Sequence, residues 1–241
     1  MRQPDPRIAA QIEAALGSAR TVLNVGAGTG SYEPGGREVT AVEPSAEMIG
    51  QRPPESAPVV QASAEELPFA DRSFDASLAV LTVHHWANLA AGLAEMRRVS
   101  RERIVIVTFD PEALAELWIA SDYFPEILSL KRRSEATSSE LAGLLAGATI
   151  EPIPVPRECT DLFFAALWGR PEKLFDAEVV RPMWVWQSIS EEARRGGRER
   201  LRADLESGAW ERRYGHLRAL PSLDVGLRLV SVPCAQPESE G

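Results

Sequence analysis

The chain has 241 residues, of which 44% are apolar and 25% charged, and its net charge is −9. That length and balance suit a globular domain with an ample core and room for an inserted subdomain. The acidic charge argues against a nucleic-acid ligand, whose phosphates need concentrated lysine and arginine. The one basic cluster, Arg194 to Arg202, is interleaved with Glu199 and reads as a solvated helix face. Cys159 and Cys234 stand far apart, in no metal-ligand spacing, and read as buried thiols; no metal is expected. The opening Met1-Arg2-Gln3-Pro4-Asp5-Pro6 has no apolar leader, and no apolar run reaches the length of a membrane span. A cytoplasmic location is the expectation.

Asp5-Pro6 reads as a helix start, Ile8, Ile12 and Leu16 share one helical face, and Gly17 closes the helix. Thr21–Val25 is a buried strand that breaks into Gly26-Ala27-Gly28-Thr29-Gly30. Val39–Val42 is a second strand ending at Glu43-Pro44, and Ser45 caps a short helix through Ile49. Val59-Val60 makes a third strand, and 73–81 a fourth that closes at His84-His85-Trp86. Leu89, Leu93, Met96 and Val99 trace a helical face, and Ile104–Phe109 is a fifth strand. Strands alternating with helices at this pace predict a doubly wound, mostly parallel α/β sheet.

Beyond Asp110 the character changes. Leu114–Ile119 reads helical, and Ser138-Ser139 cap a short helix ending by Gly147. Thr149–Pro156 alternates like an edge strand, and Val225–Val232 is a later strand. Between them lies a mostly helical segment holding Phe163, Phe164, Trp168, Trp184, Trp186, Trp210 and Tyr214. For each of these aromatics core packing is the leading expectation, with binding of an apolar or cationic ligand the other. A polar tail occupies 236–241.

The glycine turn carries the first chemical signal. In a parallel sheet the ligand sits at the carboxyl ends of the strands, where backbone must come close to it. A carboxylate at the end of the next strand, Glu43, suits the two hydroxyls of a ribose. Nicotinamide and flavin enzymes use a similar turn, but their third glycine comes one residue later.

Four blocks make the reading specific: Val22–Gly30, Ala41–Ile49, Ala62–Phe69 running on to Asp75, and Val80–Trp86 with the helix behind it. In this order they resemble the class I S-adenosylmethionine-dependent methyltransferases, of the branch that often modifies small molecules. The resemblance covers roughly residues 20–110. It implies a Rossmann-like, seven-stranded core of 1–158 and 224–241, completed by a final antiparallel strand pair. Residues 159–223 would be a helical insertion acting as a substrate lid.

The resemblance also implies roles. Gly26, Ala27 and Gly28 would line the amino-acid part of S-adenosylmethionine, with Asn24 beside them. Glu43 would hold the ribose hydroxyls, Pro44 and Met48 would lie against the adenine, and Ser63, Ala64 and Glu65 would edge it. Leu81 would lie beneath the methionyl portion. Asn24 and Ser63 stand where family members usually carry acids, which predicts weaker hold on the cofactor.

Methyl transfer leans on alignment, and a base matters when a hydroxyl or ammonium acceptor must lose a proton. His84 and His85, which with His216 are the only histidines, are read either as candidate bases or as a pair that only shapes the pocket floor. The expected activity is methyl transfer to a small organic acceptor, with no nucleic-acid or membrane partner. The alternative is a non-catalytic S-adenosylmethionine-binding or interaction protein on the same fold. Nothing in the sequence names the acceptor or the oligomeric state.

Overall fold

The structure is a computed structural model that describes residues 3–134 and 136–234, with no side chains described at 131–134. The polar tail at 236–241 lies outside the described residues. The chain runs α1 (Pro6–Leu16), β1 (Thr21–Val25), β2 (Glu38–Val42), α2 (Ala46–Gly50), β3 (Val59–Val60), β4 (Phe74–Val80), α3 (Leu89–Val99) and β5 (Ser100–Phe109). There follow α4 (Pro111–Ala115), α5 (Glu126–Ser134), α6 (Ser138–Leu144), β6 (Thr149–Pro152), β7 (Val155–Pro156) and α7 (Ala177–Val180). The last elements are α8 (Trp184–Ser188), α9 (Glu191–Glu206), α10 (Ala209–Tyr214), β8 (Ser222–Leu223) and β9 (Leu227–Pro233).

Two compact units result. The first holds Pro6–Phe109, Ala136–Pro152 and residues 228–234. Its seven-stranded sheet has the order β3-β2-β1-β4-β5-β9-β6. Pairs β1–β2, β1–β4, β2–β3 and β4–β5 are parallel, and β6 runs antiparallel to β9. The order reverses between β1 and β4, so a crevice opens beyond their carboxyl ends. Buried runs line both strands because parallel strands need both faces covered. Leu23, Val25, Ala79, Ile104 and Ile106 share a core with Leu93, Met96 and Val99 of α3 and Leu141 of α6. The predicted face of α1, Ile8, Ile12 and Leu16, is buried, and α1 packs on β5. Trp86 packs on α3 as well: a Cβ at Gly92 would stand 2.4 Å from its ring, so glycine makes the seat for the indole.

The Asp75 carboxylate pins the amino end of β1 to β4. It accepts the N–H groups of Arg20 and Thr21, both at 2.9 Å, and pairs with Arg101, while Thr21 Oγ1 accepts the Asp75 N–H. The Thr21 N–H above all, then that of Arg20, holds its pKa down to about 2 against the effect of burial. A carboxyl depressed in the fold stabilises it above the unfolded value and loses that contribution as pH falls through the folded one. Asp75→Asn should therefore cost about 2 kcal/mol near neutrality. The deficit should vanish as pH falls from about 4 to 2, which urea unfolding across that window checks.

Two expectations need correction here. Thr149–Pro156 is not one edge strand: β6 ends at Pro152, and Val155-Pro156 pairs antiparallel with β8 in a separate two-stranded sheet. The Pro152-Ile153-Pro154 sequence removes ladder donors and splits the run. The predicted helix at Leu114–Ile119 also stops early, at Ala115, and a π-helical turn at Ile119–Tyr123 follows.

The second unit comprises residues 3–5 and 110–134 with Ile153–Leu227, and so contains the aromatic-rich segment. Phe163, Phe164, Trp168, Trp186 and Trp210 are buried, and Trp184 is 45% exposed. Trp118 donates to the Trp168 carbonyl at 2.8 Å, and Trp168 donates to that of Val155 at 3.1 Å. The Tyr123 hydroxyl donates to Asp204 at 2.6 Å, and Arg213 joins that carboxylate to Asp122. Burial first, and the Asp204 bond next, push the Tyr123 hydroxyl well above its ordinary range. In α9, Gly197 lies where a Cβ would stand 2.3 Å from the Phe124 ring and 2.5 Å from the Tyr123 carbonyl.

The basic face of α9 is exposed at Arg195, Arg200 and Arg202, as expected, and several of its arginines also have partners. Arg198 lies 4.7 Å from the Trp186 ring centre and donates to the Leu174 carbonyl. Arg200 donates to the Tyr123 carbonyl, and Arg202 lies over Phe175. These guanidiniums cover aromatic rings and satisfy carbonyls within this unit. A charge count along the sequence cannot see such partners.

Candidate active site

The glycine turn leaves β1 at the carboxyl edge of the sheet. The N–H groups of Gly26 and Ala27 both donate to the Val42 carbonyl, at 2.8 and 2.9 Å, which ties the turn to the end of β2. Gly26 has φ +68°, and a Cβ there would stand 2.1 Å from Thr82 Oγ1. Gly28 has φ +53°, but a Cβ there would meet nothing within 4 Å. The first glycine makes room for protein, and the second opens onto free space.

Glu43 follows β2 and is 7% exposed. Its Oε2 accepts the Gly28 N–H at 2.8 Å and its Oε1 the Ser45 N–H at 2.9 Å. The carboxylate thus bridges the glycine turn and the cap of α2. Each of its oxygens keeps acceptor capacity beyond its one backbone donor. Pro44 takes a hydrogen bond from Gln61 on its carbonyl, and Ser45 caps α2 through the Met48 N–H. Met48 itself is 43% exposed.

At the end of β4, Leu81 has φ +53°, a left-handed conformation costly for a branched side chain, by about 1–2 kcal/mol. Its N–H donates to the Val107 carbonyl at 2.7 Å and locks it there. Strain of this kind persists only where the surroundings impose it. Thr82 meets Gly26, and Val83–His85 forms a 3₁₀ turn in which the two histidine rings lie 4.0 Å apart. His84 is half-buried and His85 exposed.

Asn24 sits in β1 between Ala41 and Leu78 and is 2% exposed. Ser63, Ala64 and Glu65 lie in the connection from β3 to β4. Burial opposes the charge on Glu65, but the Asn88 N–H at 3.1 Å and the Ser63 hydroxyl bring its pKa below the ordinary value. Its carboxylate therefore anchors this connection to the start of α3. Arg98 does the same further on, donating to the carbonyls of Phe69 and Leu67 while paired with Glu95 and Asp71. The structure thus draws Gly26, Gly28, Glu43 and the end of β4 into contact through Val42 and Thr82. No group of three or more histidine, cysteine or acidic side chains among the described residues could hold a metal.

Thr82, Ser45, Arg98, Asn88 and an Arg52–Glu33 pair shape this site without having been expected there. Of these, the Ser45 cap and the Glu95–Arg98 spacing of three on a helix are visible in the sequence.

Residues 23–108 match the methyltransferase domain family. A crystal structure from Anabaena variabilis, of a protein assigned as a methyltransferase from an antibiotic biosynthesis pathway, is 32% identical. The two superpose with a TM-score of 0.88 over 96% of this chain and 98% of that one. The chain belongs to the class I S-adenosylmethionine-dependent methyltransferase family. The malonyl-[acyl-carrier protein] O-methyltransferase of Erwinia pyrifoliae is 31% identical over 147 residues, which are 56% of this chain. The match spans 56% of that relative's length, a little over half. Geranyl diphosphate C-methyltransferase from Streptomyces coelicolor, 14% identical, shares the fold with a TM-score of 0.54 over 95% of this chain and 77% of that one.

The donor set fits the family's cofactor. Open space beside Gly28, a buried carboxylate with acceptor capacity to spare and a half-exposed Met48 are what a nucleoside with an amino-acid arm requires.

Proposed function

We propose that this protein transfers a methyl group to a small organic acceptor, with Gly26, Ala27, Gly28 and Glu43 as the center of the cofactor site. When bound, S-adenosylmethionine supplies an electrophilic methyl on a sulfonium. The observation that carries the reading is the Glu43 carboxylate, buried at the end of β2 and holding the N–H of Gly28, whose Cβ side is open. Asn24 would orient the turn, Pro44 and Met48 would flank the adenine, and Ser63, Ala64 and Glu65 would edge it. Leu81 would floor the methionyl arm.

One histidine of the His84–His85 pair takes the proton from a hydroxyl or ammonium acceptor. A carboxyl acceptor needs no base, and the similarity to a malonyl-carrier methyltransferase puts such acids first in any panel. The aromatic-rich segment 159–223 selects the acceptor in this proposal. No helix among the described residues is long and apolar enough to cross a membrane.

A panel of carboxylic acids, malonyl thioesters, phenols and amines, incubated with methyl-labelled cofactor, tests this. On a hydroxyl or amine acceptor, replacing the working histidine by alanine should lower turnover by about a hundredfold or more. Affinity for S-adenosylhomocysteine should not change. If neither substitution slows turnover, the pair only shapes the pocket. Cofactor binding without turnover on any acceptor would favour the non-catalytic reading, which the neutral Asn24 and Ser63 already suit.

A further inference from the structure

Behind the glycine turn lies an ion pair that the cofactor reading does not use. Arg52 follows α2, and its side chain is 4% exposed; that of Glu33 is 13% exposed. The Arg52 guanidinium donates through Nη1 to the Gly28 carbonyl at 3.1 Å, and through Nη2 to Glu33 and to the Ala57 carbonyl at 3.1 Å. Glu33 Oε2 in turn accepts the Ala57 N–H at 3.0 Å. Both backbone groups of Gly28 are thus held by charged side chains, the N–H by Glu43 and the carbonyl by Arg52.

We propose that Arg52 and Glu33 are positioning residues that set the orientation of the Gly28 peptide for the cofactor. Gly28 has little to hold it otherwise: its φ is left-handed, and the space beside it is open. A glycine in such a place samples many conformations, of which the ligand needs one. Fixing that conformation before the ligand arrives removes an ordering penalty from binding. The planar fork of arginine suits the task, because one group serves two carbonyls and a carboxylate at once. Lysine could keep the charge pair but not the three directions.

The proposal rests on the cofactor site described above, and the test separates the two. Calorimetry with S-adenosylhomocysteine on the whole chain should show Arg52→Gln weakened by about tenfold or more, and Glu33→Gln likewise. Arg52→Lys should fall between, and it keeps the question open to measurement if Arg52→Gln fails to fold. The loss should appear in KM for S-adenosylmethionine and hardly in kcat. Asp75→Asn, destabilised at the far end of the sheet, should bind as the wild type does. Hydrogen exchange of the ligand-free protein should quicken at the Gly28 amide in both Arg52 variants. Folded Arg52 and Glu33 variants with wild-type affinity and exchange would overturn the positioning role alone. A wild type that binds no S-adenosylhomocysteine would overturn the cofactor reading and this role with it.

Discussion

Glu43→Ala should raise the dissociation constant for S-adenosylhomocysteine by about a hundredfold, some 3 kcal/mol. The substitution removes more than a ribose contact. Glu43 is the acceptor for the Gly28 and Ser45 N–H groups at 2.8 and 2.9 Å, so its loss frees the turn and uncaps the adenine side together. Leaving a backbone donor without its acceptor adds a folding cost of about 1–3 kcal/mol. Glu43→Gln should lie between, since an amide keeps one oxygen but turns its NH₂ toward an N–H. Isothermal calorimetry beside thermal unfolding separates the two effects. A folded Glu43→Ala protein with unchanged affinity would remove the residue from the site.

The second large effect is a contrast between two glycines two residues apart. Gly26→Ala places a methyl 2.1 Å from Thr82 Oγ1 in a left-handed backbone. The ligand-free protein should lose about 2–4 kcal/mol, from the conformation and the overpacking together. Gly28→Ala meets nothing within 4 Å and should cost only about 1–2 kcal/mol, for its left-handed conformation. Yet its methyl fills the space the ligand needs, so affinity for S-adenosylhomocysteine should drop by about a hundredfold. Melting temperatures and titrations of the two variants check this. Equal destabilisation of both, or full affinity in Gly28→Ala, would show that the two glycines do not divide the work in this way.

The sheet was legible because its strands are short apolar runs joined by amphipathic helices, and periodicity reports burial directly. The predicted faces of α1 and α3 are buried, as Ile12 and Met96 show. The break after β6 was missed because alternation over Thr149–Pro156 says nothing about which sheet a residue joins. Glu43 could be read as a site residue from its place after a strand. Its two backbone partners could not, since hydrogen bonds from Gly28 and Ser45 depend on how the turn closes. The same holds for Arg52, 24 residues from Gly28 and outside every motif. The partners of the α9 arginines, Trp186, Phe175 and the Tyr123 carbonyl, were not legible because they come from distant segments.

The central claim is that the crevice beyond β1 and β4 holds a methyl donor. Calorimetric titration of the wild-type chain with S-adenosylhomocysteine and, separately, with NADH tests it most directly. Saturable binding of S-adenosylhomocysteine, weakened about a hundredfold in Gly28→Ala, with none of NADH, is the expected result. Binding of NADH without S-adenosylhomocysteine would contradict it.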